Sequence, residues 1–183
     1  RLGVLEGFGT EPEPGIAAAF ERAIEAVGPG CSTSTVSIPE LSRSPRLLSA
    51  IYAPEAGAYH EERLRQAPER FGEQVRADLL RGLRADPARR EAALRRRVEL
   101  RALIDASFCD VDFLVSPTTP IPARPIGSPG SHIYLAYTCP FNLSGHPAIS
   151  VPMGRVDGLP VGLQIVGPRG GDARVLALAL RFE

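Results

Sequence analysis

The sequence predicts an α/β fold closed by a C-terminal antiparallel hairpin. Three observations predict it. Residues 2–38 read strand, helix, strand; residues 45–108 read as successive helices that carry most of the charge; and two apolar runs flank Val156-Asp157-Gly158. The first pattern is that of an α/β layer, and the last is a hairpin signal.

Each element has a local reason. Leu2 to Leu5 form a short strand. Thr10 with Glu13 fits a capping box, and Ile16, Phe20, Ile24 and Val27 recur at helical spacing until Gly28-Pro29-Gly30 ends the helix. Val36 and Ile38 alternate with polar neighbours in a second strand that Pro39 closes. Residues 45–66 are helical, with Leu47, Leu48, Ile51 and Tyr52 on one side and Pro54 as a candidate interruption. A helix after Pro68 turns Phe71, Val75, Leu79 and Leu83 inward. Another after Asp86-Pro87 runs to about Phe108, with Leu94, Val98, Leu103 and Ile104 inward.

Val111, Phe113 and Val115 then share one side of a strand over 111–116. Prolines 117, 120, 122 and 125 force an extended segment, and residues 127–132 have the composition of a surface loop. In the hairpin, a three-residue loop over 156–158 sets Ile149 opposite Ile165, Val151 opposite Leu163 and Met153 opposite Val161. All six apolar side chains then face one way, with Gly158 left-handed. Pro152 and Pro160 belong at non-bonding or bulged positions. Val175, Leu176, Ala179 and Phe182 mark a closing amphipathic helix.

Composition excludes several classes. The chain has 183 residues, 44 % apolar and 23 % charged, enough for a globular core. No run approaches the ~18 apolar residues of a membrane span, and no secretory leader pattern opens the chain. Zero net charge gives no overall pull toward nucleic acid or acidic lipid. Cys31, Cys109 and Cys139 form no CxxC, and His is limited to His60, His132 and His146, which predicts reduced thiols in a cytoplasmic protein with no metal and no cofactor. All 21 basic side chains are Arg. The chain opens on Arg1 and stops inside an expected helix, so a piece of a longer protein is the expectation.

Three segments form a constellation: VDFLVSPTTPIPA (111–123), TCPFNLSGHPAISVPMG (138–154) and GLPVGLQIVGPRGGDARVLALA (158–179). Together they resemble the C-terminal part of the amidase signature family. There a strand ends in Pro-Thr-x-Pro, and a Pro-x-Asn-x-x-Gly-x-Pro turn enters a hairpin whose second strand reads Gly-Leu-Pro-x-Gly-Leu-Gln. The resemblance implies a mixed β-sheet covered by helices, with residues 1–183 as the C-terminal segment of one amidase-type domain. Within it, 1–110 supply strand-helix-strand and helices, and 111–183 supply strand, pocket loop, hairpin and terminal helix. It also implies hydrolysis of carboxylic amide C–N bonds by a serine nucleophile, a second serine in a cis peptide and a lysine base. A lysine-free chain lacks that triad, so no catalytic residue is carried over and the chain alone is expected to be inactive.

By the same resemblance Pro117 and Thr118, with Thr119, border the substrate cleft, while a hydroxyl satisfying a loop carbonyl is the plainer reading. Asn142 lines the pocket or closes an Asx-type turn, and Gly145 serves close packing or positive φ. Phe141, Tyr134 and Tyr137 shape an apolar pocket wall or pack the core. Gln164 is read as a structural hydrogen-bonder. Cys139 with His146 suggests a cysteine nucleophile, but no third orienting group accompanies them, and Cys139 is read as a buried inert thiol. The family's glutamine-using amidotransferases are expected to carry an Asp three residues before the position of Thr138. Leu135 stands there, which disfavours glutamine.

The expected partners are a small-molecule amide, the N-terminal portion of the same protein and, through an open sheet edge, a second copy as a homodimer. Nucleic acid and membrane are not expected. A non-catalytic amidase-like interaction module is the alternative. RNA binding through residues 81–101, with eight Arg against Asp86, Glu91 and Glu99, is the weaker one, since a solvated helical face explains the same residues.

Overall fold

The computed structural model describes residues 1–27, 30–128 and 132–182. The elements in order are β1 (Leu2–Glu6), α1 (Pro14–Ala26), β2 (Thr33–Ser37), α2 (Ser44–Gln66), α3 (Glu73–Leu83), α4 (Pro87–Ser107), β3 (Phe113–Pro117), α5 (Cys139–Ser144), β4 (Ala148–Val156), β5 (Leu159–Val166) and α6 (Asp172–Ala179). Contacts divide the chain into two compact units, Arg1–Pro45 with Leu100–Glu183, and Arg46–Glu99.

The first unit is a five-stranded mixed sheet in the order β2-β1-β3-β5-β4. β1 lies parallel to β2 and β3, whereas β5 is antiparallel to β3 and β4. Side chains alternate across the strands, so Val115, Val151, Leu163 and Ile165 share one face. That face is sealed by Phe20 and Ile24 of α1 and by Val175, Leu178 and Ala179 of α6. Leu114, Ser116, Gln164 and Val166 occupy the other parity and are also buried. The α/β class and the β1-α1-β2 unit are as the sequence predicts.

The second unit is helical. α2 and α3 cross at glycines: a Cβ on Gly82 would lie 2.0 Å from the Ala53 carbonyl oxygen, and one on Gly57 would lie 2.9 Å from that of Leu79. Pro54 does not interrupt α2, which runs through it to Gln66.

Several local expectations are corrected. Thr10 makes no cap for α1. Its N-cap is Glu13, without a side-chain cap bond, and Pro14 starts the helix with a φ already suited to it. The Gly28-Pro29 stop and the core of the 127–132 loop, residues 129–131, lie outside the described residues. Phe71 precedes α3, Val75 and Leu83 are exposed, and only Leu79 of that set is buried. In α4 the inward residues are Ala93, Leu100 and Ile104, while Val98 and Leu103 face solvent; Tyr52 and Leu176 are likewise exposed. Arg side chains on these helices carry long aliphatic stems, so apolar spacing alone does not select the buried stripe.

The hairpin loop has two residues. Asp157 and Gly158 sit at φ 51° and 80°, the two positive values of a type I′ turn. Gly158 is left-handed as expected, but the register shifts between Pro152 and Gly154, so Met153 is the extra residue of a bulge and Val161 faces Gly154. Ile149 still pairs with Ile165 and Val151 with Leu163. The bulge restores the facing that parity alone assigned to a longer loop.

Candidate functional site

The carboxyl ends of β1 and β3 lie side by side, and the chain leaves β1 toward β2 on one flank while β3 occupies the other. Such a switch point leaves a crevice in open α/β sheets. Here a cleft of about 470 Å³ opens there, lined among others by Glu6, Phe8, Glu11, Phe20, Pro117 and Tyr137. Three contacts shape its rim. Glu13 N–H donates to the Pro120 carbonyl at 2.8 Å, Tyr137 O–H donates to the Thr10 carbonyl at 2.8 Å, and the Phe8 and Tyr137 rings meet at 4.0 Å. Burial first, and the Glu11 charge second, push the Tyr137 phenol up to about 12, so it is a donor at neutral pH.

Gln164 fixes Tyr137 from behind. Its Nε2 donates to the Tyr137 carbonyl at 2.9 Å and to Ser116 Oγ at 3.1 Å, with Gln164 and Ser116 both buried and directly paired across β3 and β5. This is the structural hydrogen-bonder that the sequence suggests. Pro117 ends β3 opposite Leu163. Thr118 donates its N–H to the Gly162 carbonyl at 2.7 Å, and its Oγ1 lies 2.6 Å from Ser150 Oγ. A Cβ on Gly162 would come within 2.4 Å of that Ser150 oxygen and 2.8 Å of Thr118 Oγ1, so glycine makes room for the hydroxyl pair. Thr119 Oγ1 donates to the Ile121 carbonyl at 2.9 Å, the plainer reading of a loop hydroxyl. Tyr134 donates to the Pro122 carbonyl at 3.3 Å.

FNLSG is not an Asx turn but the second half of a short helix, α5, started by Pro140 and stopped by Gly145 at φ 77°, the left-handed C-terminal position that favours glycine. Gly145 N–H donates to the Phe141 carbonyl at 2.8 Å. Phe141 is buried and Asn142 is exposed on α5. Of the four sequence-nominated residues, Pro117 lines the cleft and Thr118 adjoins it, while Phe141 and Asn142 belong to α5.

Cys139 is fully buried, and burial pushes its thiol up to about 12, so it carries no thiolate at neutral pH. His146 is engaged elsewhere. Its Nδ1 is 2.8 Å from Ser144 Oγ, its Nε2 is 3.2 Å from Asp105 Oδ1, and its ring stacks on Phe108. The Asp105 carboxylate lies within charge-pairing distance of Nε2, but the two are not aligned as a hydrogen bond. Asp105 in turn takes a bidentate pair from Arg169 at 3.0 Å on each oxygen, which holds its carboxyl below the usual range. Arg101 Nε donates to the Ser144 carbonyl at 2.9 Å, closing the C-terminal end of α5. Sequence reasoning missed Asp105, Arg169 and Ser144. The one available signal was a histidine inside an apolar, proline-flanked run.

Ser144 and His146 are both buried, so this Asp–His–Ser chain offers no nucleophile to a ligand in the cleft. Among the described residues no three His, Cys, Asp or Glu side chains come together as a metal-binding group, and no helix is long and apolar enough to cross a membrane. Arg81, Arg90 and Arg95 are engaged with Asp78, Glu55 and Glu91.

A mixed sheet with its cleft at the switch point and a Gly-Leu-Pro-Val-Gly-Leu-Gln strand behind it defines an α/β protein of amidase type. The amidase family profile matches residues 1–176, and the chain belongs to that family. It is 36 % identical, over 219 aligned positions, to a glutamyl-tRNA(Gln) amidotransferase subunit from Salinispora tropica, covering all of this chain and 44 % of that protein. The corresponding Thermus thermophilus protein is 34 % identical, again over the whole chain and 45 % of the relative. A crystal structure of an amidase superposes with a TM-score of 0.89 at 33 % identity, covering 97 % of this chain and 44 % of the other. The chain therefore spans less than half the length of the relatives it matches.

Proposed function

We propose that this chain forms the scaffold and one cleft wall of an enzyme that hydrolyses carboxylic amides through an acyl-serine intermediate. The serine, the cis-serine and the lysine come from polypeptide outside these 183 residues. One observation carries the reading: a chain whose residues 1–176 match the amidase family has no lysine to act as base. A serine hydroxyl becomes a nucleophile when a neighbour takes its proton, and the tetrahedral oxyanion needs fixed donors. A lysine can take that proton only when neutral, so its surroundings must lower its pKa. The residues lining the cleft supply no such serine–lysine pair.

In this reading Pro117, Thr118, Phe141 and Asn142 form the substrate wall. Pro117 contributes apolar surface, Thr118 a hydroxyl steadied by Ser150, and Asn142 an exposed amide. Phe141, being buried, supports the wall from behind. Leu135 is 40 % exposed and leaves an apolar side chain where the glutamine-using relatives are expected to carry a carboxylate, so the amide is one without a free ammonium at that point. The enzyme acts in the cytoplasm on a small amide as a stand-alone amidase, alone or as a homodimer. The test is hydrolysis of a panel of aryl and alkyl amides by the complete polypeptide encoded with this chain, compared with the 183-residue chain alone. Hydrolysis by the former only is expected. Activity in the latter refutes the division of labour, and inactivity of both, with intact folding, supports a non-catalytic amidase-like module.

A further inference from the structure

We propose that His146 is a proton-operated pin that sets the turn between α5 and β4, and through it the position of the α5 wall. The inference rests on the reading of α5 as part of that wall. The geometry supplies a two-state element. Nε2 lies 3.2 Å from the Asp105 carboxylate, which repels a lone pair and attracts an N–H even without an aligned hydrogen bond, so the neutral ring's hydrogen is assigned to Nε2. Nδ1 then accepts the Ser144 hydroxyl at 2.8 Å. A second proton, taken from solvent onto Nδ1, reverses that bond. Nδ1–H now donates to Ser144 Oγ, and the hydroxyl hydrogen must turn to another acceptor. The Phe141 carbonyl, which already accepts Gly145 N–H, lies at the 3.5 Å limit of a hydrogen bond from Ser144 Oγ, so the hydroxyl hydrogen is shared between Nδ1 and this carbonyl until protonation commits it to the carbonyl. Shortening that contact moves the last turn of α5.

The charged groups facing His146 are Asp105 and Arg101 from α4 and Arg169 from the segment after β5. Burial disfavours the charged ring most, Asp105 favours it, and the two arginines oppose it, so His146 titrates below its ordinary value of 6.5. The sign follows. Above about pH 6.5 neither the folded nor the unfolded ring is protonated and nothing is lost. As pH falls below that value the unfolded ring takes the proton first, so stability declines until the folded ring titrates too.

The test uses ring and amide NMR of the complete polypeptide carrying this chain, between about pH 8 and pH 5. Expected is a histidine signal, absent in His146→Gln, with a midpoint below 6.5, and Phe141, Asn142 and Gly145 amide shifts that follow the same midpoint. In Ser144→Ala the ring still titrates but those amide shifts shrink to less than half. This second variant carries the test should His146→Gln fail to fold. Still amides during ring titration, or a midpoint at or above 6.5, overturn the proposal. With 4-nitroacetanilide as probe, KM rises through the same midpoint while kcat holds. An unchanged KM beside moving amides removes the link to the wall, and no hydrolysis at any pH counts against the amidase reading alone, because the resonance test does not need turnover.

Discussion

In the sheet unit Leu2, Leu114, Val115, Leu163, Ile165 and Val166 are at most 1 % exposed, whereas in the helical unit Tyr52, Tyr59, Val75 and Val98 are each more than half exposed. The two regions come from one chain, yet they are stabilised differently. The sheet unit buries apolar side chains on both faces, and strands far apart in sequence supply them: β1 pairs with β3 across more than a hundred residues. The helical unit buries a shorter set of apolar side chains, Leu47, Ile51, Leu64, Leu79 and Ala93, brings backbones close at Gly57 and Gly82, and carries exposed local pairs such as Arg65 with Glu62 and Arg81 with Asp78 on its surface. The lesson is that the first region is vulnerable to losing atoms and the second to gaining them.

Leu163→Ala attacks the sheet unit where that contrast is sharpest. It removes a fully buried side chain from the face packed on α6, and a loss of about 4 kcal/mol is expected in urea unfolding of the polypeptide that carries the chain. Gly82→Ala should cost about 3 kcal/mol, because its Cβ would meet the backbone oxygen of Ala53 at 2.0 Å and backbone cannot rotate away. Native-state hydrogen exchange should confine that loss to residues 46–99. A uniform loss across both units would erase the distinction.

Gln164→Leu sharpens the account of the sheet unit. The buried Tyr137 carbonyl loses its Nε2 donor, for which about 2 kcal/mol is expected, together with a weakened Tyr137–Thr10 bond read from lower exchange protection at the cleft. A neutral result would mean that shape alone, without the polar network, holds the cleft rim. Arg65→Ala is the smallest case. Its partner is exposed and three residues away, so a change below about 0.5 kcal/mol is expected. A larger effect would show that the helical unit depends on its surface pairs more than on its glycine crossings.

Different parts of this arrangement were legible to different degrees. β1-α1-β2 was readable because Ile16, Phe20 and Ile24 recur at helical spacing between two runs, residues 2–5 and Val36 with Ile38, which are apolar or β-branched and too short to form a helix. The hairpin was half readable. Parity fixes which side chains face together, but a two-residue loop with a bulge at Met153 and a longer loop without one give the same faces near Val151 and Leu163. α5 escaped because six residues are too few to display a period, and its signals were Pro140 and Gly145 alone. The cleft was readable only as a place, the end of β3 at Pro117. Its lining from β1 and α1 arises through pairing that no local pattern encodes. The Asp105–His146–Ser144 chain was invisible for the same reason, since 41 residues separate the carboxylate from the ring. The buried faces of α3 and α4 were misread because exposed apolar residues among arginines mimic a core stripe.

Labelling the active nucleophile tests the central proposal most directly. The complete polypeptide would be treated with a fluorophosphonate, which phosphonylates an activated serine, and the modified peptide located by mass spectrometry. The account predicts a single modified serine that lies outside these 183 residues, and no label on the isolated chain. A phosphonylated serine within this sequence, Ser144 or Ser150 for example, would contradict it.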